Sequence, residues 1–337
     1  MTTAVSHRLD GLEPDNLLAF LALLGLLRAM DAADRERAED GELRPRAAWD
    51  IDRLPLRPRL FLAQPMSQEE ICETAASGIA SLSQAYDFGN RADLKFSRDE
   101  ARSELVAAAQ ASEVRNRSHA DILGALMTDA AIKPEKDEAV DPTPLCLLFG
   151  QGHQHFLERL ADVPKLQTPP NRGKGKKAVT LTEAECLMEA LFRPWHRNDP
   201  TASFRWDPKE DVRYALMAGD PTDTAYKGGT QHGANRLAAI GLAALTVVPE
   251  RRFGRMRPNI IGGAFDRDGF SFLWPIWEEP ATLATIRALL AHPDLRKPGA
   301  LGHLAVHQVM QARRVSVGKF MNFARATSVT GTVAMRE

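Results

Sequence analysis

A run of apolar residues from Leu17 to Leu27 most constrains what this 337-residue chain can fold into. Leu17, Leu18, Phe20, Leu21, Leu23, Leu24, Leu26 and Leu27 leave no polar face at helical spacing, and Asp15 or Asn16 stands where an N-cap belongs. The spacing predicts a helix from Leu17 to about Ala33, buried on every side, around which other elements must pack. The run is too short to span a bilayer. Acids at Asp10, Glu13 and Asp15 precede it, which a signal peptide would not carry. A cytoplasmic location with no membrane partner is the expectation. Three well-separated cysteines, Cys72, Cys146 and Cys186, fit a reducing compartment better than a disulfide framework or a zinc module.

The remaining periodicities predict helices over Gln68–Ala85, Asp99–Ala111, Asp121–Met127, from His155, and from Thr182 to Phe192. Glu185 completes a capping box with Thr182. Further helices are expected over Asn235–Val247, Leu283–Ala291 and Leu301–Arg313. Strand patterns fall at Trp49–Leu54 and Leu145–Phe149. Ile260–Trp274 reads as a hairpin around Asp268-Gly269. The fold class expected is α+β, helix-dominated, with a small mixed β region and a helical C-terminal part. The expected divisions are an α+β region over 1–163, a basic flexible loop over 164–180, an α/β region over 181–279, and a helical region with a basic tail over 280–337.

The formal net charge is −1, so any polyanion role must come from uneven distribution. The distribution is uneven: residues 1–50 are acid-rich, while Leu295–Arg336 holds no acid and seven Lys or Arg. Four stretches concentrate cations with glycine, aromatic or amide residues. Arg172, Lys174, Lys176 and Lys177 share a Gly- and Pro-containing loop suited to following a phosphate path. The stretch from Ser203 to Arg236 combines Arg205, Trp206, Arg213, Lys227, Gln231, Asn235 and Arg236, with a Gly-rich turn that could cradle a phosphate at a helix N-terminus. Arg251, Arg252, Arg255 and Arg257 crowd within seven residues. Arg313, Arg314, Lys319, Asn322 and Arg325 close the set.

Each group also has a plain structural explanation. The loop lysines could be solvated, and Trp206 could lie in a core with Arg205 paired to Asp207 or Asp211. The Arg251–Arg257 group could pair with Glu250, Asp266 and Glu278, and Arg313 with Arg314 could answer a helix dipole. Gln231, Asn235 and Asn322 are the candidate base-edge readers, since amides can bond base edges. The Gly-rich turn matches neither the Walker pattern nor GxGxxG, so nucleotide hydrolysis has no support. For metal or hydrolytic chemistry the best candidates are Cys146, His153 and His155, or His196 near Asp199. No Ser or Cys nucleophile is assignable beside them. No catalytic residue, metal or other cofactor is expected. The alternatives are a metal-dependent nuclease or hydrolase, and a basic adaptor that docks acidic proteins.

Three stretches together, LDGLEPDNLLAFLALLGLLRAM near the N-terminus, SFRWDPKEDVRYAL with HGANRLAAIGL, and RRVSVGKFMNF, resemble the large subunits of type I CRISPR surveillance (Cascade) complexes of the type I-G branch, formerly I-U. The resemblance is spread over most of the chain and contains no enzymatic signature. It implies a non-enzymatic subunit of a ribonucleoprotein complex for antiviral defence. Such a subunit holds guide RNA and neighbouring backbone and guide-end subunits, inspects the motif flanking a double-stranded DNA target, helps open the duplex, and recruits a helicase-nuclease. Because guide pairing carries the sequence information, such a protein needs mainly backbone contacts and a path for the displaced strand.

Overall fold

The computed structural model describes residues 5–37, 41–112, 117–133, 139–147, 155–165, 172, 178–199, 201, 203–210, 229–317 and 320–329. The helix expected from the apolar run forms over Leu17–Arg37 (α1), and every leucine in it is fully buried. Each such leucine contributes roughly 1.5–3 kcal/mol by leaving water. Asn16 begins the helix, its side-chain oxygen accepting the Ala19 N–H at 3.4 Å.

Six further helices surround or extend this one: Gln68–Ser81 (α2), Arg98–Ala111 (α3), Ser118–Leu126 (α4), Phe156–Lys165 (α5), Glu183–Phe192 (α6) and His232–Gly241 (α7). Capping boxes start three of them, at Ser67 with Glu70, Ser97 with Glu100, and Thr182 with Glu185. The closest crossing is between α1 and α7. A Cβ on Gly25 would lie 1.7 Å from the Leu237 carbonyl oxygen, and one on Gly241 would lie 2.1 Å from that of Leu21. Only glycine at both positions lets the two backbones meet.

Three small antiparallel sheets complete an α+β fold. Val5–Arg8 (β1), Arg46–Trp49 (β2) and Pro58–Leu62 (β3) pair in the order β1-β3-β2. Val247–Arg252 (β4) and Arg255–Ile260 (β5) form a two-stranded hairpin. Gly263–Asp266 (β6), Gly269–Trp277 (β7), Val306–Val317 (β8) and Thr327–Ser328 (β10) form the largest sheet, and Phe320–Phe323 (β9) pairs with the outer part of β8. Strand β7 is apolar on both faces and buried along nearly its whole length. Trp274 stacks on Phe20 of α1 at 5.3 Å between ring centroids. Trp277 donates its indole N–H to the Ala47 carbonyl at 2.6 Å, tying this sheet to β2. One apolar cluster thereby runs from Leu9 to Ala326, crossing the boundaries expected at 163, 181 and 280.

The C-terminal part is helical over Leu283–Leu290 (α8), but the helix expected over Leu301–Arg313 is a correction. Val306–Val317 is strand β8, paired with β7 from Trp277 to Ser271. Cross-strand packing on β7 outweighs the helix-favouring Gln, Met, Ala and Arg residues of this segment. Leu145 and Cys146 lie in a turn after Thr143, and no strand forms over 145–147. Ile51 and Leu54 follow the end of β2 rather than extending it.

Candidate nucleic-acid interface

Several expected site residues serve the interior. Arg172 donates to both oxygens of Glu189 at 3.0 and 2.7 Å, and its Nε donates to Asp199 at 2.5 Å. These carboxylates raise its pKa, Glu189 most, and Arg172 in turn lowers that of Glu189. Gln231 is buried, and its side-chain oxygen accepts the N–H groups of His196 and Arg197 at 3.1 and 3.3 Å. Asn235 is buried on α7. It donates to Thr230 Oγ1 at 2.6 Å and accepts from the Phe204 N–H at 3.3 Å. Arg236 sits 2.6 Å from Glu183 between α6 and α7; burial lowers its pKa against the pull of that carboxylate. Asn322 donates to the carbonyls of Asp207 and Glu210 at 3.3 and 3.4 Å.

The base-edge role expected of Gln231, Asn235 and Asn322 is therefore corrected: their amides are buried and bonded to the chain itself. The same holds for Arg172 and Arg236, whose charge is compensated locally.

Around these residues lies a polar hub. Asp207 has no exposed surface; it accepts from Asn16 at 3.0 Å, Arg197 at 2.7 Å and the Lys209 N–H at 3.0 Å. Glu210 accepts from Ser203 at 2.5 Å and Thr230 at 2.8 Å, and burial pushes its pKa up to about 7. Trp206 stacks on Phe204 at 4.8 Å and donates to the Leu145 carbonyl at 2.9 Å. Arg205 is half-buried; burial lowers its pKa and Glu210 opposes that.

A different arrangement forms at the β4–β5 hairpin. In its register Arg252 lies opposite Arg255, and Glu250 opposite Arg257, so all four share one face, while Arg251 and Met256 share the other. The Arg252 guanidinium carbon is 3.7 Å from the ring centroid of Phe265 on β6. Phe265 contacts Phe270 on β7 with centroids 4.9 Å apart. Arg314 on β8 lies 5.4 Å from the Phe270 ring and donates to the Pro144 carbonyl at 3.2 Å. Arg252 and Arg314, some sixty positions apart in sequence, thus meet around one pair of rings.

The rings hold these guanidinium groups in place through cation–π attraction without neutralising them. Among the described residues no carboxylate pairs with Arg251, Arg252, Arg255 or Arg314. Burial, with no acid to oppose it, lowers the pKa of Arg314. At the edges of the patch the charge is compensated. Arg257 reaches Asp141 at 3.3 Å, Arg313 reaches Asp268 at 2.6 Å, and Arg325 lies far along the chain against Asp15. The sequence signal for the rings was present, since Phe265 and Phe270 flank the expected hairpin turn. Nothing in it showed that arginines from elsewhere would stack on them.

Lys174, Lys176, Lys177, Arg213, Lys227 and Lys319 lie outside the described residues, as does His153. His155 pairs with Glu158 at 3.2 Å, and Cys146 is buried. His196 accepts the Asn198 N–H on Nδ1 at 3.0 Å, and its Nε2 lies between the Arg172 guanidinium at 2.9 Å and the Glu189 carboxylate at 3.1 Å. Among the described residues no three His, Cys, Asp or Glu side chains converge as metal ligands, and no helix there is long and apolar enough to cross a membrane. No protein-family model matches the sequence, and comparison with curated proteins finds no relative.

Proposed function

We propose that the chain is a non-catalytic subunit of a type I CRISPR effector complex, of the kind its sequence resembles. In this reading it grips nucleic-acid backbone through Arg251, Arg252, Arg255 and Arg314. The observation that carries the reading is the Arg252–Phe265–Phe270–Arg314 stack: two guanidinium groups without a carboxylate partner, one from each of two neighbouring sheets, held on one pair of aromatic rings, with Arg251 and Arg255 beside Arg252 on the hairpin. Like charges so gathered repel, and an anionic partner relieves the repulsion. Guanidinium forks suit phosphate oxygens, and such contacts bind backbone without reading sequence. Sequence choice would then belong to the guide RNA, and cutting to a recruited helicase-nuclease.

Purification of the full chain from its native cells, with sequencing of any bound RNA, tests the proposal. Short processed RNAs and several accompanying subunits are expected. A chain that emerges with neither RNA nor partner subunits would contradict it.

A further inference from the structure

At the tip of the β4–β5 hairpin the chain places a phenylalanine where an unconstrained sequence would not. Arg252 and Arg255 are paired, so Phe253 and Gly254 alone make the turn. Their φ angles of 48° and 80° are both positive, the signature of a type I′ turn, whose first position favours Asn or Asp. A Phe there bears left-handed backbone strain. It also leaves 94% of its surface in water, the largest exposed fraction of any large apolar residue described. An Asn would remove both costs. Strain and apolar exposure at one site point to a role outside the folded monomer.

The surroundings say what that role is. Phe253 is flanked in sequence by Arg251, Arg252 and Arg255, and the Arg252 guanidinium carbon lies 5.7 Å from its ring centroid. An exposed aromatic face among uncompensated arginines is the combination that binds single-stranded nucleic acid: cations follow the phosphates while the ring takes a base. An apolar pocket on a partner protein would take the ring too. It would have no use for three adjacent arginines left without carboxylates.

We infer that Phe253 stacks on an unpaired nucleobase presented to the hairpin tip. The inference rests on reading the arginine patch as a nucleic-acid surface, and it adds single-stranded nucleic acid as the ligand of the tip. Stacking needs a base released from its partner, so an intact duplex offers the ring nothing, whereas its phosphates remain available to the arginines.

The test compares binding of the full chain to a short single-stranded oligonucleotide and to a blunt duplex, followed by fluorescence anisotropy. Phe253→Ala is expected to weaken single-strand binding by roughly 10- to 100-fold. Blunt-duplex affinity and the salt dependence of both should stay unchanged, because no charge is removed. Phe253→Trp should restore single-strand binding. Phe253→Asn should lose it as Ala does while raising thermal stability, which separates lost stacking from lost folding. Unchanged single-strand affinity in Phe253→Ala, with weakened binding in Arg251→Gln and Arg255→Gln, would overturn the stacking role alone and leave the patch standing. Loss of a co-purifying protein in Phe253→Ala, with nucleic-acid binding intact, would overturn it in favour of a protein anchor. No effect of the arginine substitutions on any nucleic acid would overturn the patch, and the inference with it.

Discussion

Arg252 lies over the ring of Phe265, with 3.7 Å between the guanidinium carbon and the ring centroid, although β4 and β6 belong to different sheets. The contact fixes a cation in space without cancelling its charge. Phe265→Ala keeps every charge of the patch but frees Arg252, at a cost of about 1 kcal/mol in cation–π attraction. Duplex affinity measured by anisotropy should fall by about fivefold, with the salt slope preserved. An affinity equal to that of the native chain would show that the ring plays no part.

The hub around Asp207 is expected to be a stability element rather than a binding one. Arg197 is the only side-chain cation within salt-bridge distance of this fully buried carboxylate among the described residues. Arg197→Met would leave the charge with two neutral hydrogen-bond donors. A loss of about 3–5 kcal/mol is expected, read as a lower urea midpoint. Unchanged stability would mean that Asn16 and the Lys209 N–H suffice.

Glu210 predicts a pH dependence. Its usual carboxyl value of 4.5 is pushed up to about 7 by burial, so the folded chain holds a proton that the unfolded chain has released. Stability should therefore fall as pH rises from about 4.5 to about 7, by an amount on the order of 3 kcal/mol at most. Asp31, raised by burial from 3.8 to about 6, adds to the same slope at its lower end. Glu210→Gln stays neutral and should flatten the upper part of the curve in urea titrations at stepped pH. An identical curve for the variant would remove Glu210 as the cause.

Gly25 is expected to be intolerant of any side chain, because a Cβ there would fall 1.7 Å from the Leu237 carbonyl oxygen. Gly25→Ala must push α1 away from α7, and a loss of more than about 3 kcal/mol is expected. Thermal melting checks this directly; an unchanged midpoint would mean that the crossing yields easily.

What the sequence disclosed follows from where its signals are local. The unbroken leucines of α1, the Thr182–Glu185 capping box and the hairpin around Asp268-Gly269 are each written within a few residues, and each formed, the hairpin turning at Arg267-Asp268 with Gly269 already paired to Asp266. Strand β8 was hidden because Met310, Gln311, Ala312 and Arg313 favour helix, and the partner that decides their state, β7, lies some forty positions earlier. The β4–β5 hairpin was hidden by its turn: Phe253-Gly254 lacks the Asn-Gly or Asp-Gly signature. For the site, the arginines at 251–257 and at 313–314 were visible as separate groups. The meeting of Arg252 and Arg314 over Phe265 and Phe270 depends on sheet register, which no local pattern carries. The amides of Gln231, Asn235 and Asn322 misled for the same reason, since composition does not tell a buried backbone partner from a base edge.

The most direct test of the central claim is duplex binding as a function of salt. Four phosphate contacts predict an affinity falling about 10²-fold between ~50 and ~200 mM salt. Replacing Arg251, Arg252 and Arg255 together by Gln should remove most of that dependence while lowering the melting temperature by no more than about 2–4 °C, the share of the lost Arg252–Phe265 contact. A native chain whose binding ignores salt, or a triple variant whose slope equals that of the native chain, would contradict the account.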